Sequence, residues 1–376
     1  MSSPVVAMVG AGQLARMTHQ AAIALGVELR VLCDEGDGCA VRAGARRSPG
    51  SPGDLEDLRR LAVGADVLTF DHEQVAPEHL AALEADGVRL APGAAAKLMA
   101  QDKLHARREL SQAGFPVPPY VHARSGADVA GFAERHGWPL VAKAPRGGYD
   151  GRGVFGLEDV PGAERALAGH PGGLLVEPRL EIERELAVLV ARSATGETAA
   201  YPVVETVQHE AMCRELIAPA PVDAERARAA RELALAIAEH IEAVGILAVE
   251  LFVTPAGLLV NELALRPHNS GHYTIEGCVT SQFEQHLRAV LGWPLGATTL
   301  LAPAVATVNV VGREDGSDPA GRLPGALAVA GAHVHLYGKP ARPGRKLGHV
   351  TVCGPDPTEV RRAARLAAAR LEGTQR

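Results

Sequence analysis

The chain has 376 residues, 47% hydrophobic and 22% charged, with a net charge of -6 at pH 7 and a pI near 6.2. That length supports two or three domains, and the acidic balance argues against a nucleic-acid partner, which calls for a basic face. Cys33, Cys39, Cys213, Cys278 and Cys353 are scattered without CxxC spacing, so no disulfide framework or zinc site is expected; with no apolar run of membrane-spanning length and no signal-like start, a cytoplasmic protein is expected.

Residues 5–9, the turn Gly10-Ala11-Gly12-Gln13-Leu14-Ala15, an apolar periodic stretch to Leu25 and residues 27–32 read as strand, glycine turn, helix and strand. A buried strand at 65–70, between helical patterns at 54–61 and 77–84, extends this βαβ unit into an open α/β sheet. One helix is expected from Ala96 to about Gly114, after which Phe115-Pro116-Val117-Pro118-Pro119 forces an extended linker. Short strands at 140–144, 153–157, 174–177, 185–193 and 198–205 then indicate an antiparallel, α+β domain. An alanine-rich helix at 224–243 and strands at 246–253 and 258–263 follow. The tail, with strands at 306–311, 333–337 and 349–352 and a last arginine-rich helix, reads as a small β-rich unit. The expected division is 1–98, then 99–300 with a lid subdomain at about 117–185, then 301–376.

Two glycine-rich segments carry chemistry. Gly10-x-Gly12-x-x-Ala15, with Asp34 downstream, matches a dinucleotide fingerprint in form; its glycines serve a tight strand-to-helix turn equally well, and a nicotinamide dehydrogenase stands as the reading from another class. Lys143-x-x-Arg146-Gly147-Gly148-Tyr149-Asp150-Gly151-Arg152-Gly153 joins strand to strand, so it is no Walker loop. It is a hairpin flap whose successive N–H groups, with Lys143, Arg146 and Arg152, suit a polyphosphate; the plain alternative is a solvated basic turn.

A three-residue hairpin loop at Pro255-Ala256-Gly257 would put Thr254 opposite Leu258 and Glu250 opposite Glu262. Opposed carboxylates repel unless a cation lies between them, and oxygen ligands beside phosphates suit Mg²⁺. The other register would offset the two and leave one solvated. Asn261 and the run Arg266-Pro267-His268-Asn269-Ser270-Gly271-His272 favour an active-site edge.

Together these segments resemble the ATP-grasp superfamily, and more narrowly the N5-carboxyaminoimidazole ribonucleotide synthetases of purine biosynthesis. The resemblance runs from Gly10 to about Val350 and is carried by GAGQLARM, TFDHEQV, RGGYDGRG, YPVVE, RPHNSGHYT, TSQFEQHLRAVLG and PGRKLGHV. It implies an ATP-grasp domain between an α/β N-terminal and a small C-terminal domain. Lys103, Lys143, the flap residues Gly148, Tyr149, Asp150, Gly151, Arg152 and Gly153, then Glu177, Pro178, Arg179, Leu180, Glu185, Gln208, Asn261 and Glu262 would hold ATP. Glu250 and Glu262 would hold magnesium. Gln13, Glu73, Tyr149, Asp150, Arg152, His268, Asn269, Ser270, Lys339, Arg345 and Lys346 would meet aminoimidazole ribonucleotide, and Arg266, Lys143, Tyr149 and Asp150 would be catalytic, with Arg266 orienting bicarbonate. The family often has histidine where this chain has Gln208, and arginine where it has Lys103. The implied reaction is ATP-dependent carboxylation of the ribonucleotide through carboxyphosphate by a homodimer. A formate- or amino-acid-using ligase of the same superfamily is the rival within it.

Overall fold

The computed structural model describes residues 3–34, 38–148 and 152–374. Arg46–Pro49, Glu28–Cys33, Val5–Val9 and Val67–Phe70 form, in that order, an all-parallel sheet. Side chains alternate across Val5–Val9, so Val6 and Met8 enter one core while Ala7 and Val9 enter another with Leu58, Leu61 and Leu80. Such double burial explains the continuous apolar run. The Val6 and Met8 core also takes in Leu287 and Val290 of the helix Gln282–Leu291, which joins this unit to the rest of the molecule.

The central sheet runs Gly257–Ala264, Gly245–Thr254, Arg184–Arg192, Val204–His209, Met212–Ala218, Ala304–Val311, Lys346–Gly354, Ala332–Leu336, with Thr198–Ala200 paired to Arg184–Arg192. The C-terminal strands thus continue the same sheet, and Pro357–Glu372 covers them through Val360, Ala364, Ala367 and Leu371. A smaller sheet, Val121–Ala123, Leu174–Pro178, Leu140–Lys143 and Val154–Leu157, packs under the helices Gly126–His136 and Val160–Ala168.

Two sequence expectations are corrected here. The single helix from Ala96 to Gly114 is two, Ala94–Gln101 and Lys103–Gln112. Asp102 breaks it: extended at φ -130°, it ends the first helix and caps the second by accepting from the Leu104 and His105 N–H groups, both at 3.0 Å. The strand at 198–205 is likewise two, Thr198–Ala200 and Val204–His209, because Pro202 has no N–H to offer a ladder. Met212–Ala218 and the helix Gln282–Leu291 are further elements beyond those expected; the helix does carry its own signals, the cap Ser281 with Glu284 three residues on and left-handed Gly292 (φ 73°) at its end.

Candidate functional site

The flap joins Leu140–Lys143 to Val154–Leu157, strand to strand, with Lys143 opposite Val154. Gly148 is required at its neck: a Cβ there would lie 2.6 Å from the Arg152 carbonyl oxygen. The flap's base is fixed to the helix break, since the Lys103 N–H donates to the Pro145 oxygen at 2.8 Å and Arg146 Nε to Asp102 Oδ2 at 2.9 Å. Asp102 therefore sets both the flap's root and the start of the helix that carries Lys103.

Under the flap, Lys143 Nζ lies 2.8 Å from Glu177 Oε2 and 3.1 Å from Asn261 Oδ1. The other Glu177 oxygen meets the Arg107 guanidinium at 2.5 Å, and the Arg107 and Glu177 side chains are each only 3% exposed. Arg107 also donates to the carbonyls of Val260 (2.6 Å) and Asn261 (3.1 Å). Charges this deeply buried persist only when paired, and Glu177 is the shared counter-ion of Arg107 and Lys143. Arg107 was missed from sequence; it sits mid-helix, and only the fold shows what it reaches.

Glu250 and Glu262 are directly opposed, but by a route other than the one expected. The turn is a two-residue loop with Thr254 paired to Gly257, and a bulge past Leu251 and Val260 leaves Asn261 as the extra residue, restoring the Glu250–Glu262 pairing. Burial, then Glu262 and Glu185, push the Glu250 carboxyl up to about 7. Lys103 Nζ lies 2.6 Å from Glu262 Oε1 and Asn261 Nδ2 reaches Glu250 Oε2 at 3.5 Å. Among the described residues no group of three or more His, Cys, Asp or Glu could hold a metal by itself. Two opposed carboxylates, one with its pKa raised by burial and by its acidic neighbours, nevertheless fit Mg²⁺, which uses few protein ligands and shares nucleotide phosphates. Glu185, raised by burial, accepts from Gln208 Nε2 at 3.2 Å on the same side.

Across the Glu250 carboxylate lies a second cluster of polar side chains. His268 Nε2 is 3.5 Å from Glu250 Oε1, and the Ser270 N–H donates to His268 Nδ1 at 3.3 Å, so the ring carries its proton on Nε2, toward the carboxylate. Ser270 Oγ also contacts Nδ1, at 2.9 Å. Asn269, expected to meet ligand or cap a turn, caps nothing: both side-chain polar atoms are buried without a partner. Arg266 Nε lies 3.3 Å from Glu73 Oε1, while the fully buried Lys97 pairs with the same carboxylate and sits 4.7 Å from the Phe70 ring centre. Lys97, not singled out from sequence, keeps Glu73 ionised: although burial opposes it, Lys97 and Arg266 hold its carboxyl below the ordinary range. Lys339 Nζ donates to Gln13 Oε1 at 2.5 Å, and Arg345 donates to the Pro340 carbonyl at 3.2 Å. Lys346 and Lys339 both add to the lowering of the His272 pKa, and Lys346 to that of His268, so these two tail cations act on the His268–His272 segment.

The chain matches the ribonucleotide synthetase preATP-grasp domain over residues 4–101, the ATP-grasp domain over 108–283 and the phosphoribosylaminoimidazole carboxylase C-terminal domain over 305–363. It is 51% identical to the N5-carboxyaminoimidazole ribonucleotide synthase of Mycobacterium tuberculosis (strain ATCC 25618 / H37Rv), over 97% of this chain and 87% of that protein. The chain belongs to the N5-carboxyaminoimidazole ribonucleotide synthase family. A solved N5-carboxyaminoimidazole ribonucleotide synthetase from Thermus thermophilus superposes with a TM-score of 0.88 at 36% identity, covering 98% of each chain. An N5-carboxyaminoimidazole synthase from Aspergillus clavatus, in complex with ADP and 5-aminoimidazole ribonucleotide, does so at 0.89 and 32% identity, covering 99% of each.

Membership of this synthase family removes the dehydrogenase alternative, and the geometry supplies a reason. The Gly12 N–H, which a bound pyrophosphate would need, already donates to Asp71 Oδ2 at 2.7 Å. A Cβ on Gly10 (φ 103°) would sit 1.8 Å from Asp71 Oδ1, so this glycine turn closes over the protein's own carboxylate. Of the other expected residues, Gly153 (φ 74°) closes the flap through its carbonyl oxygen, which accepts from the Ala144 N–H at 2.8 Å. Pro178 ends a strand, and exposed Arg179 lies 3.9 Å from Glu158, with Leu180 beyond it. Tyr149, Asp150 and Gly151 lie outside the described residues.

Proposed function

We propose that this protein carboxylates 5-aminoimidazole ribonucleotide with ATP and bicarbonate, and that the two side-chain clusters meeting at Glu250 belong to its two half-sites. The observation that carries the reading is the double contact of Glu250, with Asn261 and Glu262 on one side and His268 on the other. A phosphoryl group held on the first side is presented directly to an acceptor held on the second. Lys143, Lys103, Asn261, Glu185, Gln208 and the flap amides hold ATP. Glu250 and Glu262 would hold Mg²⁺, which would supply charge neutralisation at the nucleotide phosphates. Arg266, held against Glu73, orients bicarbonate as it takes the γ-phosphoryl group to give carboxyphosphate. Its carboxyl carbon then passes as CO₂ to the exocyclic amine, forming the N–C bond, while the amine proton leaves and phosphate departs.

Asn269, Gln13 and Glu73 recognise the ribonucleotide, and Lys339, Arg345 and Lys346 take its 5′-phosphate. Tyr149, Asp150 and Arg152 complete that site from the flap. We further take the chain as three units, 1–98, 99–300 and 301–376, acting in the cytoplasm as a homodimer; among the described residues none of the five cysteines is in a disulfide, which suits a reducing compartment. No described helix is long and apolar enough to cross a membrane. The test is ADP release with ATP and bicarbonate, with and without the ribonucleotide. Release stimulated by the ribonucleotide, with N5-carboxylated product formed one for one, is expected; equal release without it, or stimulation by formate or an amino acid in its place, overturns the reading.

A further inference from the structure

A column of imidazoles runs from the Gln13–Lys339 pair through the core. His272 stacks on His349 with ring centres 4.8 Å apart and 29° between planes, and His349 stacks on His335 at 4.5 Å and 16°. At the outer end His335 Nε2 meets Glu276 Oε1 at 2.6 Å; in the middle His349 Nδ1 meets the Tyr337 hydroxyl at 2.7 Å. His272 and His349 are fully buried.

The inner ring is hemmed by two amides whose orientations are fixed elsewhere. Gln282 accepts the His268 N–H on Oε1 (2.8 Å) and donates from Nε2 to the His268 carbonyl (2.7 Å), so it turns an NH₂ toward His272 Nδ1, 3.4 Å away. Lys339 donates to Gln13 Oε1, which turns the Gln13 NH₂ toward His272 Nε2, also 3.4 Å away. With donors on both edges an imidazolium would find no acceptor, and a neutral ring accepts from one of them; the Gln282 NH₂ already donates to the His268 carbonyl, whereas the Gln13 NH₂ faces only the ring, which assigns the acceptor to Nε2. Burial, then His268, His335, Lys346 and Lys339, lower the His272 pKa well below the ordinary range.

We propose that His272 is a positioning residue of the ribonucleotide site: a permanently neutral imidazole, braced by His349, His335 and Glu276, whose Nε2 accepts from Gln13 and so aims the Gln13 amide oxygen and Lys339 at the ribonucleotide. This rests on the assignment of Gln13 and Lys339 to that substrate.

Two His272 variants separate the acceptor from the ring. His272→Phe keeps the stacked ring and loses the acceptor; His272→Gln loses the ring and keeps an acceptor. The expected result is a KM for the ribonucleotide raised about tenfold in the Phe variant, as for one lost hydrogen bond, and raised less in the Gln variant, with the KM for ATP unchanged in both. His272→Phe added to Gln13→Ala should raise it little beyond Gln13→Ala alone, because His272 acts through Gln13. The reverse order, Gln worse than Phe, or penalties that multiply in the double variant, overturns the proposal in favour of plain packing. Should the Phe variant not fold, His272→Met, close to Gln in shape but without its amide acceptor, replaces it, and is expected to raise the KM for the ribonucleotide more than His272→Gln does. Wild-type protein measured alongside keeps the two readings apart: no ribonucleotide-dependent turnover there refutes the substrate assignment, whereas normal wild-type turnover with an unmoved KM in the variants refutes only the role of His272.

Discussion

His286 ties the N-terminal sheet to the central one through Thr69. The Ile246 N–H donates to His286 Nδ1 at 3.2 Å, so the ring's proton is on Nε2, which donates to Thr69 Oγ1 at 2.9 Å. Thr69 lies on the strand whose end carries Asp71 and Glu73 into the site. Burial, with Lys97 adding a little, pushes the His286 pKa down to about 3.

The acid stability of the protein should depend on that ring. An unfolded histidine takes up a proton as pH falls through about 6.5, while the folded one stays neutral until about 3. The unfolded state then binds more protons, so this group's contribution is fully present above 6.5 and is lost as pH falls from 6.5 toward 3. His286→Gln can keep both hydrogen bonds without titrating. Its unfolding midpoint should therefore fall less than the wild type's between pH 7 and 4, by an amount worth roughly 1–4 kcal/mol. Parallel curves for the two proteins count against a neutral buried ring.

Glu262→Gln should reduce ATP turnover by on the order of 100-fold or more, as for losing one preorganised charge at the transferring phosphoryl group. The fold should survive, because the Glu262 side chain is 41% exposed. Circular dichroism and steady-state ADP release check this; full turnover at saturating Mg²⁺ removes Glu262 from the metal site.

Glu177→Gln is expected to be harsher on stability than its isosteric change implies. Arg107 and Lys143 share that carboxylate, and without it two cations are left buried against a neutral amide, at a cost of roughly 3–5 kcal/mol. The KM for ATP should rise with it, since Lys143 loses the partner that aims it. Denaturant unfolding and ATP kinetics read the two effects. A stability within about 0.5 kcal/mol of wild type, the range of an ordinary surface change, contradicts the buried triad.

How far the site is legible in the sequence depends on range. The Glu250–Glu262 pairing is readable because both residues lie on one hairpin, even though the turn is one residue shorter than expected and the bulge at Asn261 makes up the difference. The flap is local in the same sense, strand to strand. Arg107 and Lys97 are invisible: each is a cation inside a helical pattern, indistinguishable in sequence from a solvated lysine or arginine until the fold buries it against Glu177 or Glu73. The stacking of His272 on His349 needs two segments far apart in sequence to meet. Helix breaks depend on single residues such as Asp102, whose capping competes with a pattern that otherwise continues.

Asn269 offers the sharpest separation of stability from function. Its amide is buried with neither polar atom hydrogen-bonded, although His268 and Ser270 on either side are fully engaged with each other. A buried amide without partners costs about 1–3 kcal/mol, and an apolar residue of similar size avoids that cost. Asn269→Leu should therefore leave the ligand-free protein as stable as the wild type or more so, by up to about 1 kcal/mol after imperfect packing. The same change should raise the KM for the ribonucleotide about tenfold or more, because an amide held without partners in the free protein gains them from the ligand. Thermal unfolding without ligand and kinetics with the ribonucleotide varied measure the two sides. A variant that is destabilised yet keeps its KM would show that the amide serves the fold, and would remove Asn269 from the substrate site.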